Sequence, residues 1–495
     1  MASRGGRGHD PLRGLGRGDG GAPVSRARPD EVRVLEPSSE ELLRLLPSTD
    51  AAELDACVSK AEGAAHRWQS LSLEERGGLL LRVADAIEDE AESLAVLESR
   101  NVGKPIAEAR GEIGLAARSF RYYAGAVDKH LGQTFPSAAS LHYTVRRPFG
   151  VVGAIVPWNF PLVLTSWKVA PALAAGNAIL VKPADLTPLT ALRLEKICRE
   201  SGIPDGTVQI LVGPGRTLGR ALVEHPLVRK LSFTGSTAVG RDIAARGGAL
   251  MKRMTLELGG KAPNVIFADA DLEQALGAAV SACFANAGQD CCSRARVLVE
   301  QSAYPEAVER LAGAIEGIVV GEPLEETTEM GPLVSATQRE TARGYLDGAV
   351  AAGARVVCGG EVPDRPGYYL TPALVDRADP EMAIMREEIF GPVAVIHPFR
   401  DEAEAVALAN DTEYGLAASV WSGDAGRAAR VAQAIEAGVV SINSNSSVHL
   451  TAPFGGVRAS GLGRELGMAA LDAYTEEKTI YHAIGAVSSG SVQVA

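Results

Sequence analysis

The chain has 495 residues, 46% hydrophobic and 22% charged, so it reads as a globular protein too long for one core, with two or three domains. Its net charge of −12 argues against a nucleic-acid footprint, and no apolar run reaches the ~18 residues of a membrane span. Six cysteines (57, 198, 283, 291, 292, 358) without C-x-x-C spacing, and eight histidines without H-E-x-x-H, predict a reducing, cytoplasmic setting and no dedicated metal site.

The first stretch, "MASRGGRGHDPLRGLGRGDGGAP", is rich in Gly and Arg and has no apolar segment of a secretory signal. It cannot bury enough apolar surface to offset its ordering entropy, so residues 1–28 are expected to be disordered. Further on, Ser72 and Glu75 make a capping box. Leu80, Val83, Ala84 and Ile87 follow at helical spacing, and Gly103 and Pro105 end the pattern.

From Val151 short β-branched runs take over: "VVGAIV", "AILVK", "TVQILV", "RKLSFTG" and "PNVIF". Helical segments such as "TPLTALRLEKICRESG" separate several of them, which predicts βαβ units and a parallel sheet covered by helices. A second series, with "RARVLVE", "ARVVCGG" and "GVVSIN", begins after Cys292. In such sheets ligands bind beyond the carboxyl ends of the strands, so the Gly-rich pieces there are the places to search.

"GPGRTLG" (213–219) misses the G-x-G-x-x-G spacing by one position, and "GSTAVG" is no Walker A loop. Gly235 and Ser236, between a strand and a helix, would still aim backbone N–H groups at a pyrophosphate. A plain connection that needs a glycine explains them equally well.

"FANAGQDCCSRAR" (284–296) sets Cys291 beside Cys292. Neighbouring cysteines reach disulfide geometry only with strain. One is a nucleophile, or both are small buried hydrophobes; the residues alone leave both readings open.

Five stretches then stand together: "PWNFP" (157–161), "LELGGKAPN" (256–264), "NAGQDC" (286–291), "EEIFGPV" (387–393) and "PFGGVRASGLGRE" (453–465). In this order and spacing the chain resembles the aldehyde dehydrogenase superfamily, from about Glu53 to about Tyr481. The resemblance implies an α/β fold of two Rossmann-like parallel-sheet domains with a small β oligomerisation arm. Residues 29–131 and 151–258 would form the coenzyme domain, 259–451 the catalytic domain, and 132–150 with 470–488 the arm of a homodimer or homotetramer.

It also implies the oxidation of a small-molecule aldehyde by NAD, with NADP possible. Cys291 matches the nucleophile, Asn159 the oxyanion donor and Glu257 the general base. Ile155, Trp158, Lys182, Asp185, Gly215, Gly235, Ser236, Glu388 and Phe390 match coenzyme contacts. Phe160, Leu164, Trp167, Phe284, Val448 and Phe454 match the substrate tunnel. Asp185 stands where glutamate is usual, and Asp290 is similar to acidic residues of aminoaldehyde dehydrogenases. A coenzyme A-acylating activity is disfavoured, because such relatives usually lack the base that Glu257 matches.

Overall fold

The computed structural model describes residues 31–137 and 140–484, so the expected disordered tail and the last residues of the expected arm lie outside the described residues. Two parallel-rich sheets dominate. The first has the order Val208–Ile210, Ala178–Pro183, Val151–Val156, Lys230–Thr234, Arg253–Glu257, Gly461–Leu462. All neighbours run parallel except the last pair. The direction of winding reverses between Val151–Val156 and Lys230–Thr234. A crevice opens at such a switch point, outside the strands' carboxyl ends, where the chain continues into "PWNF" and "GS".

The second sheet has seven strands, in the order Arg355–Cys358, Ala373–Asp376, Val393–Phe399, Arg296–Glu300, Pro263–Ile266, Ala417–Trp421, Val439–Ile442. Only the edge strand Arg355–Cys358 is antiparallel. "PNVIF", which the strand rhythm grouped with the first series, is the central region of this second sheet. The chain crosses between sheets at "LGGKA", so both series meet beside Glu257.

The helix Pro161–Ala174 is buried along its whole length; most of its residues are apolar, and Lys168 is accommodated by a buried ion pair with Glu465. Pro161 suits the first turn, where a missing N–H costs nothing. The Ser72–Glu75 capping box forms with both reciprocal bonds, at 3.1 and 2.7 Å. The helical pattern behind it is broken in two, Leu73–Asp89 and Ala91–Val102, and Gly103 closes the second piece at φ +93°. A hairpin of Glu31–Leu35 and Leu42–Pro47 precedes the helices and had no clear sequence signal.

Ser140–Pro148 pairs antiparallel with Thr475–Ala483 on one side and with Thr134–Phe135 on the other. Strands more than 300 residues apart in sequence thus build a separate three-stranded ribbon. No helix among the described residues is long and apolar enough to cross a membrane.

Candidate active site

Between the carboxyl edge of the first sheet and the loop leading into Arg296–Glu300 lies a cavity of about 540 Å³. Asn159, Glu257 and Cys291 all line it, together with Trp158, Gly235, Ser236, Glu388 and Phe390. Residues more than 130 positions apart are therefore brought onto one surface.

The nucleophile candidate is delivered by a strained turn. After the helix Leu272–Phe284, three consecutive residues adopt left-handed backbone: Asn286 (φ 50°), Ala287 (φ 55°) and Gly288 (φ 69°). Such strain persists only where the surroundings over-determine it. Here the Asn286 backbone N–H donates to the Glu108 carboxylate at 3.0 Å, and Asn286 Nδ2 donates to the Asn159 carbonyl at 3.0 Å. Gln289 Nε2 donates to the Asn286 carbonyl at 2.9 Å, while Gln289 Oε1 accepts from Val334 N–H at 2.9 Å. Gln289 is thus the brace of the turn.

Cys291 emerges half-buried and Cys292 is buried. The neighbouring Cys292 thiol, and then burial, push the Cys291 thiol well above its ordinary value. The Asp290 carboxylate accepts from Cys292 N–H at 2.9 Å, which sets its direction.

Asn159 is 2% exposed, and its Nδ2 donates to the Gln289 carbonyl at 2.9 Å. A primary amide carries two N–H groups, so one remains for the cavity. The Asn159 backbone carbonyl accepts from Lys104 Nζ at 2.8 Å. Lys104 is fully buried, binds the Glu112 carboxylate at 2.6 Å and stands 4.3 Å from the Phe160 ring centroid. Lys104 and Glu112 give no hint of a pair in the sequence, where "GKP" lies in the connection between two helices and "RGE" on the second of them.

Glu257 ends its strand with both carboxylate oxygens buried and without hydrogen-bond partners among the described residues. Burial drives its pKa well above the ordinary range. The nearby Glu465 adds to this, and Lys168 and Arg464 offset part of it. Lys168 and Glu465 form a buried ion pair beneath the cavity. Thr234 Oγ1 accepts from Lys168 at 2.8 Å, and Ser232 Oγ donates to Glu465 at 2.9 Å.

The far wall is apolar. Phe160, Leu164, Trp167, Val448 and Phe454 line the cavity as expected, joined by Leu115 and Val163. The Trp167 and Phe454 rings meet edge-on at 5.7 Å. Phe284 is the exception: it packs inside the core of the second sheet, because the helix that carries it turns that face inward.

The remaining candidates divide. Trp158 and Phe390 stand edge to face at 5.1 Å, and Glu388 accepts from Gly260 N–H at 3.0 Å. Ser236 caps the helix Thr237–Ala249 without a side-chain hydrogen bond, so backbone donors stay available at its N-terminus. A Cβ on Gly235 would come within 2.6 Å of the Phe233 ring, so this turn leaves no room for a side chain. Ile155, Lys182, Asp185 and Gly215 do not line the cavity. They gather beside it at the turn 213–219, where Lys182 Nζ lies 2.8 Å from Asp185 Oδ1 and a Cβ on Gly215 would lie 3.9 Å from Lys182 Nζ.

The aldehyde dehydrogenase family profile matches residues 24–480. An aldehyde dehydrogenase of Emericella nidulans is 41% identical over 92% of this chain and 92% of its own. A phenylacetaldehyde dehydrogenase of Pseudomonas fluorescens is 40% identical over 93% and 94%. Among solved structures, a putative aldehyde dehydrogenase of Burkholderia cenocepacia superposes with TM-score 0.92 at 41% identity, covering 94% of this chain and 96% of that one. A Bacillus cereus aldehyde dehydrogenase in its NAD+ complex (TM-score 0.91, 41% identity, 92% and 94% covered) and an E. coli NADP-dependent enzyme (0.90, 37%, 92% and 95%) share the architecture as well. With two parallel sheets meeting at a cysteine-bearing cavity, and with these likenesses spanning nearly the whole length, the chain belongs to the aldehyde dehydrogenase family.

Proposed function

We propose that the protein oxidises an aldehyde to the carboxylic acid with NAD(P)+, through a covalent cycle on Cys291. The carrying observation is that Cys291, Asn159 and Glu257 line one cavity together with Trp158, Glu388 and Phe390. The residues present fit the coenzyme. Uncapped backbone donors at Ser236 suit the pyrophosphate, Lys182 and Asp185 suit the adenosine ribose, and Glu388 suits the hydroxyls of the other ribose. When bound, the nicotinamide supplies the two-electron acceptor for the aldehyde hydrogen.

The Cys291 thiol gives its proton to solvent as its sulfur attacks the carbonyl carbon, and the developing oxyanion meets the second N–H of Asn159 and the backbone N–H of Cys291. Losing one such donor typically costs about 10²–10³ in rate. A thioester on Cys291 follows, and Glu257 takes a proton from the water that cleaves it. Among the described residues no hydrogen bond holds the Glu257 carboxyl, so it can turn toward that water. Its raised pKa makes it a stronger base.

The apolar lining favours an aliphatic or aromatic aldehyde, in keeping with the name of the Pseudomonas fluorescens relative. A second reading, an aminoaldehyde, rests on the acidic side chains of the same cavity, Glu112 and Asp290 among them. Ranking kcat/KM across a panel of both kinds decides between them. For the activity itself, NADH formation is followed by absorbance. Cys291→Ala must abolish it while coenzyme binding persists, and undiminished turnover in that variant would refute the assignment.

A homo-oligomer is proposed from the ribbon of Ser140–Pro148 and Thr475–Ala483. Its exposed Phe135, Leu141, Tyr481 and Ile484 leave an edge that a second copy would cover. A monomeric mass by light scattering would overturn this. A cytoplasmic location is proposed from the six free cysteines, one of which must stay reduced to act.

A further inference from the structure

Three consecutive side chains, Asp290, Cys291 and Cys292, bring one carboxylate oxygen and two thiol sulfurs to within 4.8 Å of one another. All three line the cavity, so the cluster is reachable from solvent. Five carboxyl groups line the same cavity, from Glu112, Glu257, Asp290, Glu388 and Glu465, and among the described residues no Lys, Arg or His does. The positive groups near Asp290, Lys104 and Arg294, lie behind the wall. Lys104 is tied to Glu112 and the Asn159 carbonyl, and Arg294 to the Cys292 carbonyl and Ser419.

We propose that Asp290, Cys291 and Cys292 form a reversible binding site for a thiophilic divalent cation of the zinc class, whose occupation masks the nucleophile. Two sulfurs and one carboxylate oxygen, completed by water, make a four-coordinate set suited to zinc or cadmium and poorly suited to magnesium or calcium. Zinc–sulfur bonds of about 2.3 Å and zinc–oxygen bonds of about 2.0–2.2 Å place tetrahedral ligands about 3.5–3.8 Å apart. The observed cluster therefore needs to contract by about 1 Å, within the reach of side-chain rotation. The Cys292 N–H holds one Asp290 oxygen at 2.9 Å, which aims the carboxylate and leaves its other oxygen for the metal.

The proton balance is explicit. Binding displaces one proton from each thiol to solvent, and the two thiolates and the carboxylate then face the dication. No redox step occurs, and a chelator reverses the exchange. Because each thiol must give up its proton to bind the metal, binding strengthens as pH rises. Glu257, Glu388 and Glu465 line the same cavity, and carboxylates there add attraction for a dication.

The test is an anaerobic titration of metal-free, full-length protein with Cd²⁺, read by ultraviolet thiolate-to-cadmium charge transfer. One Cd²⁺ per chain is expected, with Cd²⁺ slowing iodoacetamide labelling of Cys291 and EDTA restoring it. Cys292→Ser should lower the band to about half and weaken binding about 10- to 100-fold, and Asp290→Asn should weaken binding with the band retained. No stoichiometric band, or a band and affinity unchanged in Cys292→Ser, overturns the site. If that variant fails to melt cooperatively, protection of Cys291 labelling in the wild type decides instead. None of these readouts needs turnover, so the site stands or falls apart from the proposed activity.

Discussion

Lys182 and Asp185 form an ion pair at 2.8 Å in which the lysine is almost wholly buried and the aspartate a third exposed. An ammonium alone at this place would suit the extra phosphate of NADP, whereas the pair presents the exposed carboxylate first. NAD should therefore be used better than NADP. Asp185→Ser frees the ammonium, and the NAD-to-NADP ratio of kcat/KM should fall by about 1–3 kcal/mol, or roughly ten- to a hundred-fold. Equal use of both coenzymes by the wild type would refute this, and an unchanged ratio in the variant would acquit Asp185.

Glu257→Gln removes the base while keeping the shape of the buried carboxyl. A burst of NADH near one equivalent should survive, followed by slow turnover as the thioester accumulates. Undiminished steady-state turnover in stopped-flow absorbance would sink the assignment. In the wild type, the raised pKa of Glu257 makes kcat climb toward alkaline pH.

Glu388 is pushed up to about 7 by burial, with the Gly260 N–H bond and Lys261 opposing. Lys261 is itself lowered to about 7 by burial. A carboxyl with a raised pKa favours the protonated fold. Its stabilising contribution is complete below the ordinary carboxylate value and is lost as pH rises through about 7. Accepting hydrogen bonds from ribose hydroxyls needs the ionised form. The KM for coenzyme should accordingly rise as pH falls from about 8 to about 6, approaching tenfold per pH unit below the pKa. Glu388→Gln should flatten that dependence; a wild-type KM independent of pH would count against the role.

Lys104→Met leaves Glu112 buried without its partner, which should cost about 3–5 kcal/mol of stability by denaturant unfolding. It also releases the Asn159 carbonyl, so kcat should fall with little change in coenzyme KM. Adding Glu112→Leu should recover stability more than kcat. Parallel recovery of both would mean that Lys104 only supports the fold.

Much of the site is legible locally because its chemistry sits in short segments. Asn159 lies between two prolines, Glu257 ends an apolar strand, and Cys291 follows Gly-Gln-Asp. What escaped reading is the pairing of distant charges. Lys168 and Glu465 are 297 residues apart, and either looks like an ordinary surface residue until the fold buries both. Phe284 misled in the opposite way: beside the cysteine turn in sequence, it points into the second core. The hairpin Glu31–Leu35 with Leu42–Pro47 was hidden because "LLRLLP" has no strict alternation.

The wall behind Cys291 is built from absent side chains. A Cβ on Gly260 would come within 2.5 Å of the Cys291 carbonyl, and one on Gly288 would collide with the Gly391 backbone. Any effort to reshape this enzyme for bulkier compounds is thus confined to one side. The backbone behind the sulfur admits no added side chain, which leaves lining positions such as Val448 and Leu115, partly exposed in the same cavity, as the ones to vary.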